Sequence, residues 1–361
     1  MKLVLVTSSL SSGGAERVLV LLARGLARRG HDVTVVTIYG EELDFFRLPP
    51  GVNRVALGLG KDTVGLPAKL WANARRIRAL RRAIRGARPD AVISLLGRTN
   101  VLTLLATVGM GMPVIVSEHT DPRKEPLPGV WQSLRRIAYR RAARVVSVSA
   151  AIDSYFDWIA ADKRAVIPNP VDFAGLEQEG LGLEFPWPHT VIAMGRLAPE
   201  KGFDLLIAAF ASLAERFADW GLAILGEGRL RGELESLCAR AGLAGRVLLP
   251  GAIPSPGSTL KNAELFVLSS RWEALPMALV EAMACALPVV ATECTAGAAE
   301  LVRPGQNGLL VPTENTPALA AAMAEMMQDP ARRRVLGQNA AASVRPFELD
   351  RIVETWEGLL S

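Results

Sequence analysis

The sequence predicts an α/β protein built from two doubly wound parallel sheets. Three observations carry this prediction. Short β-branched runs alternate with helix-length segments along the chain. The runs are apolar and scarcely alternate, as in central parallel strands covered on both faces. The alternation also starts twice, at Lys2 and again near Val191. A length of 361 residues agrees, being about twice what one hydrophobic core serves.

In chain order, the first series has strand candidates at Lys2–Thr7, Asp32–Ile38, Ala91–Leu95, Val114–Ser117, Val145–Val148 and Ala165–Ile167. Helical patterns at Ala15–Arg29 and Lys69–Arg85 fall between them. The second series has strands at Val191–Gly195, Gly221–Leu225, Val247–Leu249, Leu265–Leu268, Pro288–Ala291 and Gly308–Val311. Its helices are Asp204–Phe217, Arg229–Ala241 and Met277–Cys285. Strand–helix alternation of this kind makes right-handed βαβ units. Asn169-Pro170 ends the first series, and Val171–His189 is rich in Gly, Pro and acid. The expected domains are therefore 1–169 and 170–344, with a last helix in 345–361 beyond Pro346.

Charge divides at the same place. Residues 1–169 carry 26 Lys/Arg against 13 Asp/Glu, whereas 170–361 carry 15 against 23, within a total of +5. A basic total invites nucleic acid or an anionic membrane. No aromatic platform or recognition motif accompanies the basic clusters, so nucleic acid is not an expected partner. The run Met1–Val6 is too short for a signal peptide's apolar core. The longest apolar stretch, Val101–Val116, falls short of a membrane span and contains Gly109, Gly111 and Pro113. Cys238, Cys285 and Cys294 are odd in number without metal-ligand spacing, and the chain has 3 histidines. A reduced, cytoplasmic protein without a zinc site is expected.

Two such domains leave a cleft facing the carboxyl ends of both sheets, where ligands of doubly wound sheets bind. The loops after the strands are therefore the place to look. Gly13-Gly14, at the first strand-to-helix turn, lets backbone N–H groups approach an anion, or is simply a tight turn. It is not a GxGxxG dinucleotide fingerprint. His119 follows a strand end and can hydrogen-bond a ligand hydroxyl or, near its unperturbed pKa, exchange a proton. Arg196 and Lys201 share one loop of the otherwise acidic half, a pairing suited to a diphosphate. Gly226 marks an ordinary turn. The most specific feature is Arg271-Trp272-Glu273-Ala274-Leu275-Pro276-Met277-Ala278-Leu279-Val280-Glu281. Its opening helical turn, around Leu275 and Met277, offers free N–H groups to a phosphate. Glu281 is an acid in an apolar helix, for which ribose hydroxyls are suitable donors. Arg75, Arg78, Arg81, Arg82 and Arg85 form a basic face beside Leu70, Ile77, Leu80 and Ile84, with no acid from Thr63 to Pro89. A second cluster, Arg135, Arg136, Arg140, Arg141 and Arg144, follows Trp131 and Leu134. Such helices suit anionic lipid surfaces, or pack on the sheet with solubilising arginines.

In combination these segments resemble the retaining, GT-B-fold glycosyltransferases of family 4, the group 1 glycosyltransferases. The likeness rests on Ser12-Gly13-Gly14-Ala15-Glu16-Arg17, Glu118-His119, Asn169-Pro170-Val171-Asp172, Gly195-Arg196 with Lys201-Gly202, Gly226-Glu227-Gly228, and the Glu273/Glu281 pair. Ala274 departs from the family's usual glycine. The resemblance implies transfer from a nucleotide sugar, a UDP-hexose or UDP-N-acetylhexosamine, without metal or other cofactor. It implies that Arg196 and Lys201 hold the diphosphate with Gly13, Gly14, Gly226, Leu275 and Met277 around it. Glu281 would then bind the ribose, while Glu273 and His119 place the sugar. It also implies a C-terminal helix that returns to the first domain. Ser8–Arg17 and Ser117-Glu118-His119 look especially like bacterial enzymes that extend polyprenyl-diphosphate-linked oligosaccharides with N-acetylgalactosamine. That likeness implies a lipid-linked glycan acceptor met by Lys69–Arg85 at the inner face of the cytoplasmic membrane. A sugar-nucleotide epimerase on the same scaffold, or a transferase with a soluble or lipopolysaccharide-core acceptor, is the alternative.

Overall fold

In the computed structural model, residues 1–360 are described apart from 61–64, 178–181, 254 and 295. Every strand run read from the sequence forms, with ends displaced by at most two residues. The chain divides into two units, Met1–Pro170 with Leu349–Ser361, and Val171–Glu348. Part of the Gly- and Pro-rich stretch after Val171, residues 178–181, lies outside the described residues.

The first unit runs β1 (Lys2–Thr7), α1 (Gly14–Arg28), β2 (Asp32–Thr37), β3 (Asn53–Ala56), α2 (Leu66–Ala87), β4 (Ala91–Leu95), α3 (Gly97–Ala106), β5 (Val114–Glu118), α4 (Gly129–Ala138), β6 (Arg144–Ser147), α5 (Ala150–Asp153) and β7 (Arg164–Val166). The strands order as β3-β2-β1-β4-β5-β6-β7, every pair parallel. Leu3, Leu5, Val33, Val35 and Ile93 are buried with Leu19, Leu22 and Leu26 of α1, and Val4, Val6, Val36 and Val92 on the other face are buried too, which explains the unalternating runs.

The second unit runs α6 (Phe173–Glu177), β8 (His189–Met194), α7 (Phe203–Ala211), β9 (Trp220–Leu225), α8 (Arg231–Arg240), β10 (Val247–Gly251), α9 (Gly257–Lys261), β11 (Leu265–Leu268), α10 (Met277–Ala284), β12 (Val289–Thr292), α11 (Ala296–Leu301), β13 (Leu309–Val311), α12 (Thr316–Gln328) and α13 (Pro330–Ser343). Its order is β10-β9-β8-β11-β12-β13, again parallel. The winding direction reverses between β8 and β11. Ligands of such sheets lie outside the carboxyl ends of the strands at that switch point. The loops at 195–202 and 269–276 flank it.

A final helix, α14 (Leu349–Leu360), belongs to the first unit. Leu349, Ile352, Val353 and Trp356 are buried in the core that α1 also lines. A Cβ on Gly25 of α1 would lie 2.4 Å from Val353 Cγ2, so the close approach of the two helices requires glycine there. Glu357 adds an ion pair to Arg29 at 2.7 Å and a hydrogen bond with His31 at 2.8 Å.

Two elements differ from expectation. The helix read as Asp204–Phe217 stops at Ala211, where Ser212 Oγ donates to the Ala209 carbonyl at 2.7 Å and competes with the helical ladder. β3 was not anticipated, because its Asn53-Arg54-Val55-Ala56 edge sequence carries no buried apolar run.

Candidate active site

In the second unit, the loop after β8 and the loop after β11 meet at the switch point. Lys201 Nζ lies 2.6 Å from Glu273 Oε1, with the two side chains only 18% and 11% exposed. Ser270 Oγ donates to the same carboxylate oxygen at 2.7 Å. Arg196, on the Lys201 loop, is 68% exposed and pairs with Glu200 at 3.2 Å. A half-buried ammonium and carboxylate beside an exposed guanidinium can bind a polyvalent anion and a hydroxylated group together.

Backbone packing fixes these loops. Ser269 Oγ donates to the Lys201 carbonyl at 2.9 Å, and the Arg271 N–H donates to that of Glu200 at 2.7 Å. Gly202 takes φ +61°, and a Cβ there would lie 2.2 Å from the Ser269 carbonyl oxygen. Gly226 lies under the loop that carries Arg196. Its N–H donates to Gly251 O, and a Cβ would fall 1.8 Å from Gly195 O. Close approach therefore explains this glycine, a role that its sequence context alone does not reveal.

α10 begins after Pro276, which provides no side-chain cap, so the opening turn at Met277 has N–H groups available. Leu275 is buried and Met277 half-buried. Glu281 is 2% exposed, on the apolar side of α10 with Leu279, Val280 and Met283.

In the first unit, Gly13 caps α1 while Glu16 curls back over it, so that a Cβ on Gly13 would meet the Glu16 carboxylate at 2.1 Å. Gly14 opens onto free space. His119 follows β5, its Nε2 3.0 Å from Ser117 Oγ. The residue is partly exposed but its Nδ1 is buried; desolvation lowers its pKa to about 4, against a smaller opposing contribution from Asn169. The ring is therefore neutral at neutral pH. Of the two roles open to His119, hydrogen bonding is the one its surroundings favour over proton exchange.

Beneath His119 lies a network that sequence reading missed. Tyr139 donates its hydroxyl hydrogen to Glu118, and Asn100 donates to Tyr139 Oη at 3.0 Å and to the Ser117 carbonyl at 2.9 Å. Burial pushes the Glu118 carboxyl upward, with Arg135 opposing at 3.9 Å. Arg135 is itself 2% exposed and donates to Gln132 at 2.6 Å. It therefore leaves the solvated basic cluster in which its sequence placed it. Arg136, Arg140 and Arg141 remain exposed beside Val130 and Ile137.

The basic face of α2 also divides. Arg75, Arg78, Arg82 and Arg85 are exposed, and with Arg81 and Arg88 the last three line a shallow cleft. Arg81 donates to the Ala106 and Val108 carbonyls, both at 2.7 Å, which ties it to the end of α3. Leu80 and Ile84 are buried, whereas Leu70, expected on the same packed face, is 63% exposed next to Trp71. The Arg75 guanidinium lies over the Trp71 ring. Among the described residues, no helix is long and apolar enough to cross a membrane.

Residues 12–174 match the family model described as glycosyltransferase family 4, and residues 184–343 match that of glycosyl transferases group 1. Both describe glycosyl transfer, which favours that reading over an epimerase. The chain is 28% identical to the GalNAc-alpha-(1->4)-GalNAc-alpha-(1->3)-diNAcBac-PP-undecaprenol alpha-1,4-N-acetyl-D-galactosaminyltransferase of Campylobacter jejuni, across 100% of this chain and 98% of that one. Among solved structures, sucrose-phosphate synthase from Thermosynechococcus elongatus superposes with a TM-score of 0.82 at 19% identity, covering 99% of this chain and 98% of that chain. Anabaena HepE in complex with UDP and glucose gives 0.80 at 22% identity, with the same coverage. These two likenesses show the fold.

Proposed function

Because the chain belongs to the family 4 and group 1 glycosyltransferases, with their two-sheet GT-B fold, we propose that it moves a sugar from a nucleotide sugar to a lipid-linked glycan acceptor. The donor is a UDP-hexose or UDP-N-acetylhexosamine, transfer retains the anomeric configuration, and no metal takes part. The observation that carries this reading is the Lys201–Glu273–Ser270 cluster at the switch point of the second sheet. The UDP bound by HepE and the undecaprenol-linked substrate in the Campylobacter name support the choice of donor and acceptor classes.

In this reading Lys201 and Arg196 hold the diphosphate and stabilise the charge that develops on it as it leaves. N–H groups around Leu275 and Met277, with the Gly13-Gly14 turn, add to that cradle. Glu281 accepts hydrogen bonds from the ribose. Glu273 and neutral His119 orient the sugar through its hydroxyls. The bond from the anomeric carbon to the phosphate oxygen breaks on the same face on which the acceptor oxygen attaches. The acceptor's hydroxyl proton passes to the departing phosphate.

The acceptor diphosphate meets the exposed face of α2 formed by Arg75, Arg78, Arg82 and Arg85. Arg81 supports that face from its carbonyl contacts. The protein works peripherally at the cytoplasmic face of the membrane, held by anionic lipid.

The test is incubation with UDP-sugars and a polyprenyl-diphosphate glycan, with and without EDTA, followed by mass and anomeric analysis of the product. One donor should give a retained product in both conditions. Silence of every donor, with no UDP released, refutes the reading. Changing Arg78, Arg82 and Arg85 together to Gln should abolish flotation with anionic liposomes that carry the lipid-linked acceptor, and unaltered flotation would reject the surface role.

A further inference from the structure

The donor loops are joined by a residue to which no part of the proposed chemistry gives a role. Arg271 lies two residues before Glu273, and its guanidinium reaches three separate elements. Nη1 donates to the Pro199 carbonyl at 2.7 Å and to Asp204 Oδ1 at 2.8 Å, while Nη2 donates to Asp204 Oδ2 at 2.7 Å. Nε donates to Glu314 Oε1 at 2.5 Å. Pro199 and Asp204 bracket Lys201 along the chain, and Glu314 sits between β13 and α12.

Glu314 holds φ at +56°, a backbone setting that a non-glycine residue keeps only where its surroundings enforce it. The planar fork satisfies a bidentate carboxylate and a carbonyl at fixed angles, which a flexible ammonium does not reproduce.

We propose that Arg271 is a positioning residue: it sets the Lys201 loop against the Glu273 loop so that ammonium and carboxylate are already placed when the donor diphosphate arrives. This rests on the donor site proposed above. Arg271 acts through Lys201 and is not itself assigned a contact with the substrate. Misplacement of such a group by about 1 Å is enough to lose up to a hundredfold in rate.

A double-mutant cycle on the full chain tests it, reading calorimetric affinity for UDP and, alongside, GDP. Arg271→Gln should weaken nucleotide-diphosphate binding about tenfold or more, and Arg271→Lys should fall close to it because the fork is lost. In a Lys201→Ala background, Arg271→Gln should then cost less than about twofold, since groups acting as one unit are not additive. A full tenfold loss in that background means that Arg271 supports the fold generally, and overturns the proposal. Should Arg271→Gln lower the melting temperature too far to assay, Glu314→Gln removes one arm of the fork and must show the same dependence on Lys201. Failure of the wild type to bind either nucleotide rejects the donor site and the positioning role with it, whereas an additive cycle rejects the positioning role alone.

Discussion

Replacing Gly202 with alanine tests the loop packing at its tightest point. The residue takes φ +61° in the left-handed region, which costs an L-residue roughly 1–2 kcal/mol. The added Cβ would also stand 2.2 Å from the Ser269 carbonyl oxygen, a backbone atom that cannot rotate aside. Relieving that contact is an overpacking event of about 1–3 kcal/mol. The sum, about 2–5 kcal/mol, should lower the melting temperature of the second unit by roughly 4–20 °C, at about 2–4 °C per kcal/mol for a unit of this size. The strain should also be felt at the site, because Ser269 Oγ bonds the Lys201 carbonyl and moves with its own backbone. Calorimetry with a parallel UDP titration reads both effects. Gly232→Ala is the matched control, as nothing lies within 4 Å of its Cβ position and the residue lies in α8 of the same unit. If Gly202→Ala melts within about 2 °C of the wild type and binds UDP unchanged, then Gly202 is not held as described and the loop-registration reasoning fails.

Tyr139→Phe removes the hydroxyl that Glu118 and Asn100 share, at a site where all three residues are buried. It should destabilise by about 1–3 kcal/mol in thermal or urea unfolding, and a smaller loss would mean that water replaces the hydroxyl. His119 has a folded pKa near 4 against 6.5 ordinarily, so between these values the unfolded chain binds the extra proton. Stability contributed by the neutral ring is thus whole above pH 6.5 and lost as pH falls towards 4, by up to about 2–3 kcal/mol. Urea curves at pH 7 and 4.5 should show the wild type losing more stability than His119→Gln, and parallel losses contradict the assignment. Deleting residues 349–361 removes the buried Leu349, Ile352, Val353 and Trp356, a loss of about 6–12 kcal/mol at 1.5–3 per side chain. That rivals the whole stability of a domain, so calorimetry should show the first unit's transition vanish while the second persists. Survival of both transitions would show that α14 is dispensable.

The parts of this protein legible in its sequence are those governed by short-range rules. Parallel strands buried on both faces announce themselves as apolar runs, which is why β1, β4 and β11 match their predicted bounds. β5 was read from its β-branched run at Val114–Ser117, but α3 was hidden at the head of the same apolar stretch, Val101–Val116, because periodicity alone does not reveal a buried helix there. At the site, Lys201, Glu273 and Glu281 were visible because charged residues at strand ends and in apolar helices need a reason. Arg271 was not, since its meaning depends on Asp204 and Glu314, 67 and 43 residues away. Arg135 was misread for a similar reason. In a row of arginines nothing local marks the one that turns inward to Glu118.

That misreading bears on how the net charge should be understood. The first half's 26 cations are a formal count, and the fold takes some of them out of the free basic surface, an acid going with each one that is ion-paired. Arg135 faces Glu118 inside, Arg81 is bound by the carbonyls at the end of α3, and Arg54 and Arg164 are paired with Asp44 and Asp153. On α2 the exposed remainder is Lys69, Arg75, Arg78, Arg82 and Arg85. At about 1 kcal/mol per cation near an anionic surface, these five cations supply about 5 kcal/mol, an attachment of only about 0.2 mM. Charge on this helix is therefore too weak to anchor the protein alone, and stable residence needs a second signal. Leu70 and Trp71, each 63% exposed at the head of the helix, provide apolar surface for one, and an acceptor diphosphate would provide another. If the proposed acceptor and surface roles hold, an enzyme held by such a pair of weak signals would stay while acceptor is present and leave once it is gone.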